Sequence, residues 1–376
     1  MRLYWYWPFA RREEVDLVPA LAATGNEMLV DVLAGAFAPA AASGPGWQIR
    51  PAVAQVPACR HSTVGWVASR GSTYARRVHD RRRALAQFGP ELTHVLFQNY
   101  LTDWWDLPRL AGRGPLVSTV HDVVPHVARL PPPLQAAALR SLYARCGHIV
   151  VHHETVASQL LRHFPDIDPA RVTVIEPQVP RLPMTTTTRR RTGPVSLLAF
   201  GTLRRNKGLD DLLEAMRTVP KLDATLTVAG RGDAKLERRL GEAVHRDSRI
   251  CAEIGWVSPG RKAQLYRDAD VVVLPYTSFS SQSGVLHDAY AAGLPLVVAD
   301  VGALGATVRR DGSGWVVPPA DSGALAETLC HVVADEAQRR SRGTSAARVA
   351  AERSPEQVAR QLHSLYVKVL SGRAPC

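Results

Sequence analysis

Short apolar runs recur along this chain, at residues 2–7, 93–98, 116–121, 148–152 and 171–175, and again at 196–201, 224–229, 271–275 and 295–299. Each has the length and composition of a buried strand. Between most of them lie stretches whose apolar residues return every three or four positions, as on a helix. Strands separated by helical crossovers predict parallel, doubly wound α/β sheets. The clearest helix follows Gly208. Leu209, Leu212, Leu213 and Met216 repeat at i, i+3, i+4 and i+7, and Asp210 and Asp211 sit in the first turn, where the helix dipole favours them. A last helix opens at Ser354-Pro355-Glu356-Gln357, with a capping serine, a proline suited to the first helical position and a glutamine that completes a capping box. Its apolar stripe is Val358, Leu362, Leu365, Tyr366 and Val369.

The rhythm breaks at residues 181–194, RLPMTTTTRRRTGP, which reads as a linker. The predicted organisation is a first Rossmann-like domain over 1–182, a linker over 183–194, a second Rossmann-like domain over 195–353 and a terminal helix over 354–376, free to pack back on the first domain. A length of 376 residues, 46% of them apolar, suits two such cores.

Composition narrows the class. No run of 18 uncharged apolar residues occurs, so no membrane-spanning helix is expected. The first residues, MRLYWYWPFARREE, read as a strand rather than a signal peptide. Five scattered cysteines with no CxxC pair argue against a disulfide framework or a zinc site and fit a reducing cytoplasm. The net charge of +12 is mostly arginine, with dense blocks at 76–77, 81–83 and 189–191. Three readings stay open for it: a solvated basic face, a face drawn to anionic membrane or a lipid-linked acceptor, and nucleic-acid binding. The last is the weakest, because no recognition-helix, zinc-finger or RNP pattern accompanies the charge.

Three segments carry candidate chemistry. Phe200-Gly201-Thr202-Leu203-Arg204-Arg205-Asn206-Lys207-Gly208 joins a strand to a helix, and Arg204 and Lys207 there offer two cations to a diphosphate. An ordinary basic surface turn would look similar. In the second, the strand ending at Pro275 runs through a small-residue loop into a helix that stops near Gly293. Ser283, Gly284 and Val285 open that helix, where free N–H groups form an anion site, and Asp288 follows one turn in, where a carboxylate can take ribose hydroxyls. The competing reading makes the serines mere caps and Asp288 a solvated charge. In the third, the strand at 116–120 delivers His121 and Asp122 to its carboxyl end, where open α/β sheets bind ligands. A histidine satisfied by neighbouring backbone is the commoner outcome there. The aromatic residues Tyr4, Trp5, Trp7, Tyr100, Trp104 and Trp105 read mostly as core, with one or two open to stacking on an acceptor ring.

Taken together these segments resemble the retaining, group 1 or glycogen-synthase-like, glycosyltransferases of family 4. The resemblance covers nearly the whole second half: FGTLRRNKGLDDLLEAM, LTVAGRGD, IGWVSPGRKAQLYRDADVVVLPY and SQSGVLHDAYAAGLPLVVADVGALGATVRRDGSGWVVPP. In the first half it is carried by STVHDVVPH and IVVHHETVASQLL. It implies a GT-B architecture, two Rossmann-like domains facing across a cleft, with a nucleotide-sugar donor on the second and the acceptor mostly on the first. Under the resemblance Arg204, Lys207 and the backbone at Ser283–Val285 hold the donor diphosphate, with Gly201 in the same turn. The loop at Gly230–Gly232 lies near the base, Asp288 takes the ribose and His121 meets the transferred sugar. The implied reaction retains anomeric configuration, with the leaving diphosphate accepting the proton, and needs no cofactor and no metal ion.

The chain also departs from the family pattern. Where the family has two glutamates with seven residues between, this chain has Ser280 and Asp288. Trp7-Pro8-Phe9-Ala10-Arg11-Arg12 replaces a glycine-rich loop, and Thr202 stands where an arginine is common. Two rival readings follow: a degenerate module that binds sugar nucleotide without turnover, and a sugar-nucleotide epimerase, for which no carboxylate pair is evident. The expected partners are a nucleotide sugar and a small-molecule (secondary-metabolite) or saccharide acceptor, with no nucleic acid and with peripheral contact to anionic membrane left open.

Overall fold

The computed structural model describes residues 1–7, 16–33, 43–52, 63–97, 114–121, 123, 131–182, 193–278 and 283–372. The chain divides into two compact units, residues 1–178 with 355–376, and residues 179–354. Of the predicted linker, residues 183–192 lie outside the described residues.

Among the described residues the first unit holds one sheet. Its strands are β1 (Arg2–Tyr6), β2 (Glu27–Leu33), β3 (Ser43–Gly44), β4 (Trp47–Ala52), β5 (Leu92–Val95), β6 (Leu116–Val120), β7 (His148–Val151) and β8 (Val172–Val174), in the order β3-β4-β2-β1-β5-β6-β7-β8. All neighbours pair in parallel except β3 with β4. Helices α1 (Leu17–Ala22), α2 (Thr63–Phe88), α3 (Pro132–Arg145) and α4 (Glu154–His163) accompany it.

Strand β1 shows why its sequence is apolar without alternation. Leu3, Trp5 and Trp7 enter one core and Tyr4 and Tyr6 the other, so the strand is covered on both faces. Tyr4, Trp5 and Trp7 are therefore packing residues and not acceptor platforms; Tyr100, Trp104 and Trp105 lie outside the described residues.

The apolar pattern missed β2, β3 and β4, and in the second unit the strands Ile250–Ile254 and Gly314–Val317. In β2 the charged Asp31 interrupts the run, yet it is fully buried: Tyr4 Oη donates to it at 2.7 Å and Arg50 closes on both its oxygens at 2.8 Å. The arginine blocks also need correction. Arg76, Arg82 and Arg83 are exposed, but Arg81 is 1% exposed. Arg77 and Arg81, one turn apart on α2, both set their guanidinium groups over the Tyr6 ring, 4.9 and 4.8 Å from its centroid.

The second unit contains β9 (Val195–Phe200), β10 (Ala224–Gly230), β11 (Ile250–Ile254), β12 (Val271–Leu274), β13 (Leu296–Ala299) and β14 (Gly314–Val317), all parallel, in the order β11-β10-β9-β12-β13-β14. Its helices are α5 (Leu209–Thr218), α6 (Ala234–Arg246), α7 (Pro259–Asp268), α8 (Gly284–Ala291), α9 (Leu304–Asp311), α10 (Ser322–Ala334) and α11 (Glu336–Glu352). Apolar clusters cover both faces of this sheet. Strands β9, β10 and β11 advance toward one edge, and β12, β13 and β14 toward the other. The reversal opens a crevice at the carboxyl ends of β9 and β12, the place where doubly wound sheets bind ligands.

The terminal helix α12 (Pro355–Ser371) belongs to the first unit. Its predicted stripe is buried: Val358, Leu362, Leu365 and Tyr366 join Trp5 and Leu21 in one core, with Val369 partly buried against it. Among the described residues no helix is long and apolar enough to cross a membrane.

Candidate active site

The turn after β9 is compacted by glycines. A β-carbon on Gly230, whose φ is +144°, would lie 1.8 Å from the Gly201 carbonyl oxygen, so the loops after β9 and β10 touch backbone to backbone. Leu203 and Gly232 extend the contact as an isolated parallel bridge, with the Leu203 N–H donating to Arg231 O at 2.8 Å. Arg204, exposed and extended, precedes a single 3-10 turn at Arg205–Lys207. Gly208 then takes the left-handed conformation, φ +66°, and starts α5. A β-carbon there would lie 1.7 Å from Pro275 O.

This turn is fastened to the segment after β12. Thr277 N–H donates to Asn206 O at 3.0 Å, and Asn206 Nδ2 donates to Ser278 O at 3.0 Å. The Lys207 ammonium stands 3.6 Å from the centroid of the Tyr276 ring. A small pocket lies beneath, lined in part by Thr202, Leu203, Lys207, Pro275 and Tyr276.

The start of α8 completes the group. Ser283 occupies the N-cap position, but its side chain accepts none of the helix N–H groups. Its hydroxyl instead hydrogen-bonds the Tyr276 hydroxyl at 2.9 Å. The reading of Ser283 as a capping side chain therefore does not describe it, and the first N–H groups of α8 keep the anion-site character of a helix N-terminus. Val285 approaches Gly201, whose β-carbon would sit 3.3 Å from Val285 Cγ2. Gly201, Lys207, Gly230, Ser283, Gly284 and Val285 thus converge at the sheet's reversal point. Ser280 lies outside the described residues.

Asp288 is not a solvated charge. It is 7% exposed, its Oδ1 lies 2.8 Å from Lys262 Nζ on α7, and Tyr266 Oη donates to Oδ2 at 3.4 Å. Burial, and next the nearby Asp288 charge, push the Tyr266 phenol well above its ordinary range. Lys262, Tyr266 and Tyr276 had no role in the sequence reading. The i,i+4 spacing of Lys262 and Tyr266 signals a shared face, but an ordinary amphipathic helix gives the same signal.

His121 belongs to the other unit and is half-buried just past β6. Its Nε2 lies 2.7 Å from Leu96 O. A carbonyl only accepts, so Nε2 carries the hydrogen, and in the neutral ring Nδ1 is the acceptor. The neighbouring backbone does satisfy this histidine. Its ring packs 5.4 Å from Phe97 and 4.9 Å from His152, whose own Nδ1 donates to Ile175 O at 2.7 Å. Nearby on β5, His94 joins the Tyr366 hydroxyl through Nδ1 and Thr119 Oγ1 through Nε2 at 2.9 Å. Burial first, then the charges of His152 and His121, push His94 down to about 3. Asp122 lies outside the described residues. Among the described residues no group of three or more histidine, cysteine and acidic side chains is placed to share a metal ion.

Comparison with known proteins defines the class. A model described as "Glycosyltransferase Family 4" matches residues 15–180, and one described as "Glycosyl transferases group 1" matches residues 194–335. The chain belongs to the family 4 glycosyltransferases, and its two parallel sheets have the GT-B fold.

Among particular proteins, a glycogen synthase of Mycobacterium tuberculosis is 35% identical over 161 residues, 41% of this chain and 38% of that protein. A D-inositol 3-phosphate glycosyltransferase of Corynebacterium aurimucosum is 28% identical over 302 residues, 73% of this chain and 69% of that protein. The first curated relatives are matched over only 38% to 51% of their own length. The solved sucrose-phosphate synthase of Thermosynechococcus elongatus superposes with a TM-score of 0.76 at 20% identity, over 99% of this chain and 100% of that one. The Anabaena protein HepE, solved in complex with UDP, gives 0.68 at 14% identity, over 98% and 99%.

Proposed function

We propose that this chain is a retaining glycosyltransferase. It moves a sugar from a nucleoside-diphosphate sugar to a hydroxyl of a small-molecule (secondary-metabolite) or saccharide acceptor, without a metal ion. One observation carries the reading: a lysine ammonium and the N-terminus of a helix converge at the reversal point of the second sheet, on loops packed so closely that only glycine fits. That is the construction a diphosphate needs. The binding of UDP by a structural neighbour supports a nucleotide as the ligand.

In this reading Arg204 and Lys207 stabilise the charge that grows on the leaving phosphate, the electrostatic contribution that often dominates such catalysis. The N–H groups of Gly284 and Val285 take further phosphate oxygens. Asp288, steadied by Lys262, takes the ribose, and the loop at Gly230 borders the base. His121, oriented through Leu96, contacts the transferred sugar. The acceptor hydroxyl attacks on the face the nucleotide leaves, and the departing phosphate takes its proton, so no strong general base is required.

The substitution at Ser280 favours a second reading, a module that binds donor without turning it over. A thermal-shift panel of nucleoside diphosphates and nucleotide sugars, with chelator and with magnesium, tests both. A ligand at 100 times its Kd stabilises the fold by about 2.7 kcal/mol. A shift that survives chelation supports the donor site, and donor hydrolysis or product formation then separates enzyme from module. Activity lost to chelator and restored by magnesium or manganese overturns metal independence. No shift with any nucleotide overturns the donor site.

A further inference from the structure

The backbone contacts described above fix where Lys207 begins, and they do not fix where it ends. Thr277 and Asn206 fasten the peptide units, and Gly208 seats against Pro275 O. Four rotatable carbons separate that backbone from the ammonium, and a lysine is a compact charge on a flexible stem. Something else must hold Nζ if it is to meet a phosphate without first losing rotamer freedom.

Tyr276 is in contact with it. The ring is 3% exposed, and Lys207 Nζ lies 3.6 Å from its centroid, a short separation for a cation over an aromatic face. The same side chain reaches in a second direction, where its hydroxyl meets Ser283 Oγ at 2.9 Å, at the residue from which α8 starts. Ring and hydroxyl thus address two of the groups that grip the phosphates in the reading above, Lys207 and the start of α8. Phenylalanine would keep only the ring contact, and a serine hydroxyl on Cβ would fall short of Ser283. Burial pushes the phenol up to about 12, so the side chain stays neutral and keeps its hydrogen across the working pH range.

We propose that Tyr276 is a positioning residue for the donor diphosphate: its ring fixes the Lys207 ammonium, its hydroxyl fixes the start of α8, and one side chain thereby sets the spacing between these two phosphate-gripping groups. The proposal rests on the donor-site reading. It assigns Tyr276 no contact with the donor; the residue acts through Lys207 and Ser283.

The test is calorimetric binding of UDP, GDP, ADP and TDP, each beside its parent nucleoside, to the wild type, Tyr276→Phe, Tyr276→Met, Lys207→Met and the Tyr276→Met/Lys207→Met pair. Methionine fills much of the ring's volume without its charge distribution. Tyr276→Met weakens the diphosphate that binds best about 10-fold and leaves the nucleoside within about two-fold, as loss of a cation–π anchor requires. Tyr276→Phe, which keeps the ring but releases Ser283, weakens the diphosphate about three-fold and leaves the nucleoside unchanged; wild-type diphosphate affinity in this variant overturns the hydroxyl's role. In the pair, Tyr276→Met adds less than about two-fold to Lys207→Met, because the two act as a unit.

Equal loss of nucleoside and diphosphate, or fully additive effects in the pair, reduces Tyr276 to core packing and overturns the proposal while leaving the donor site standing. If the methionine variant does not fold, the comparison of Tyr276→Phe with wild type in the Lys207 and Lys207→Met backgrounds decides. A Phe effect as large as that of Lys207→Met overturns the ring's role. Wild-type protein that binds none of the four diphosphates overturns the donor-site reading and this proposal with it.

Discussion

Arg353 sets one guanidinium nitrogen 3.0 and 2.9 Å from the two carboxylate oxygens of Asp311, and both residues are buried. Tyr290 donates its hydroxyl to the same carboxylate at 2.9 Å. Arg310 Nε also lies 2.9 Å from Asp311 Oδ1, so losing Arg353 leaves the carboxylate paired but removes its buried charge-assisted hydrogen bonds, at a cost of about 1.5–3 kcal/mol. Arg353→Met should therefore lower the unfolding free energy by that order in denaturant titration. Arg348→Met, which breaks a pair that is more than half exposed on both sides, should cost less than about 1 kcal/mol.

Lys207→Ala and Arg204→Ala should each slow turnover by roughly 10²-fold or more, as removal of a preorganised charge stabiliser does elsewhere. Steady-state kinetics with the donor found in the thermal-shift panel reads this directly. Near-wild-type rates in both variants would remove these residues from the chemistry.

Two glycine-to-alanine changes should move in opposite directions. At Gly208 the backbone is left-handed, and the new methyl would meet Pro275 O at 1.7 Å, so the turn must open. Gly208→Ala should lose diphosphate binding and about 1–3 kcal/mol of stability. At Gly241, inside α6 with nothing within 4 Å, alanine should add about 0.5–1 kcal/mol. Melting curves with and without nucleoside diphosphate separate the two.

His94 makes the fold sensitive to acid. Its folded value is about 3 against an ordinary 6.5, so the unfolded chain binds the extra proton between those limits. The stability this histidine contributes is fully present above its unfolded value and is lost progressively as pH falls toward the folded one. The melting temperature should drop between pH 7.5 and pH 5, and His94→Gln should shrink that drop whatever its stability at pH 7.5.

The alternation of strands and helices was legible because parallel strands covered on both faces are written as unbroken apolar runs, as in β6, β7 and β12. Strand β2 escaped for a local reason: the partners that neutralise Asp31, Tyr4 and Arg50, lie on β1 and β4, and their pairing exists only once the sheet forms. The turn at Gly201–Gly208 was legible because its glycines and cations are contiguous. Tyr276 was not, because its two partners lie on opposite sides of it in sequence, Lys207 by way of β12 and Ser283 by way of a loop. Arg81 misled for the same reason. A run of arginines reads as a solvated face until one of them finds an aromatic ring supplied from 75 residues away.

The apolar stripe of α12 fixes an order of events in synthesis. The core that joins Trp5, Leu21 and Val30 includes Leu362, Leu365 and Tyr366, and Trp5 Nε1 donates to Tyr366 Oη at 3.1 Å. Every residue of the second unit leaves the ribosome before these do. The second unit has all its strands in hand first and can fold as a unit, while the sheet begun by β1 waits with one apolar face covered only in part, by α1. The first unit to be translated is the last to be finished.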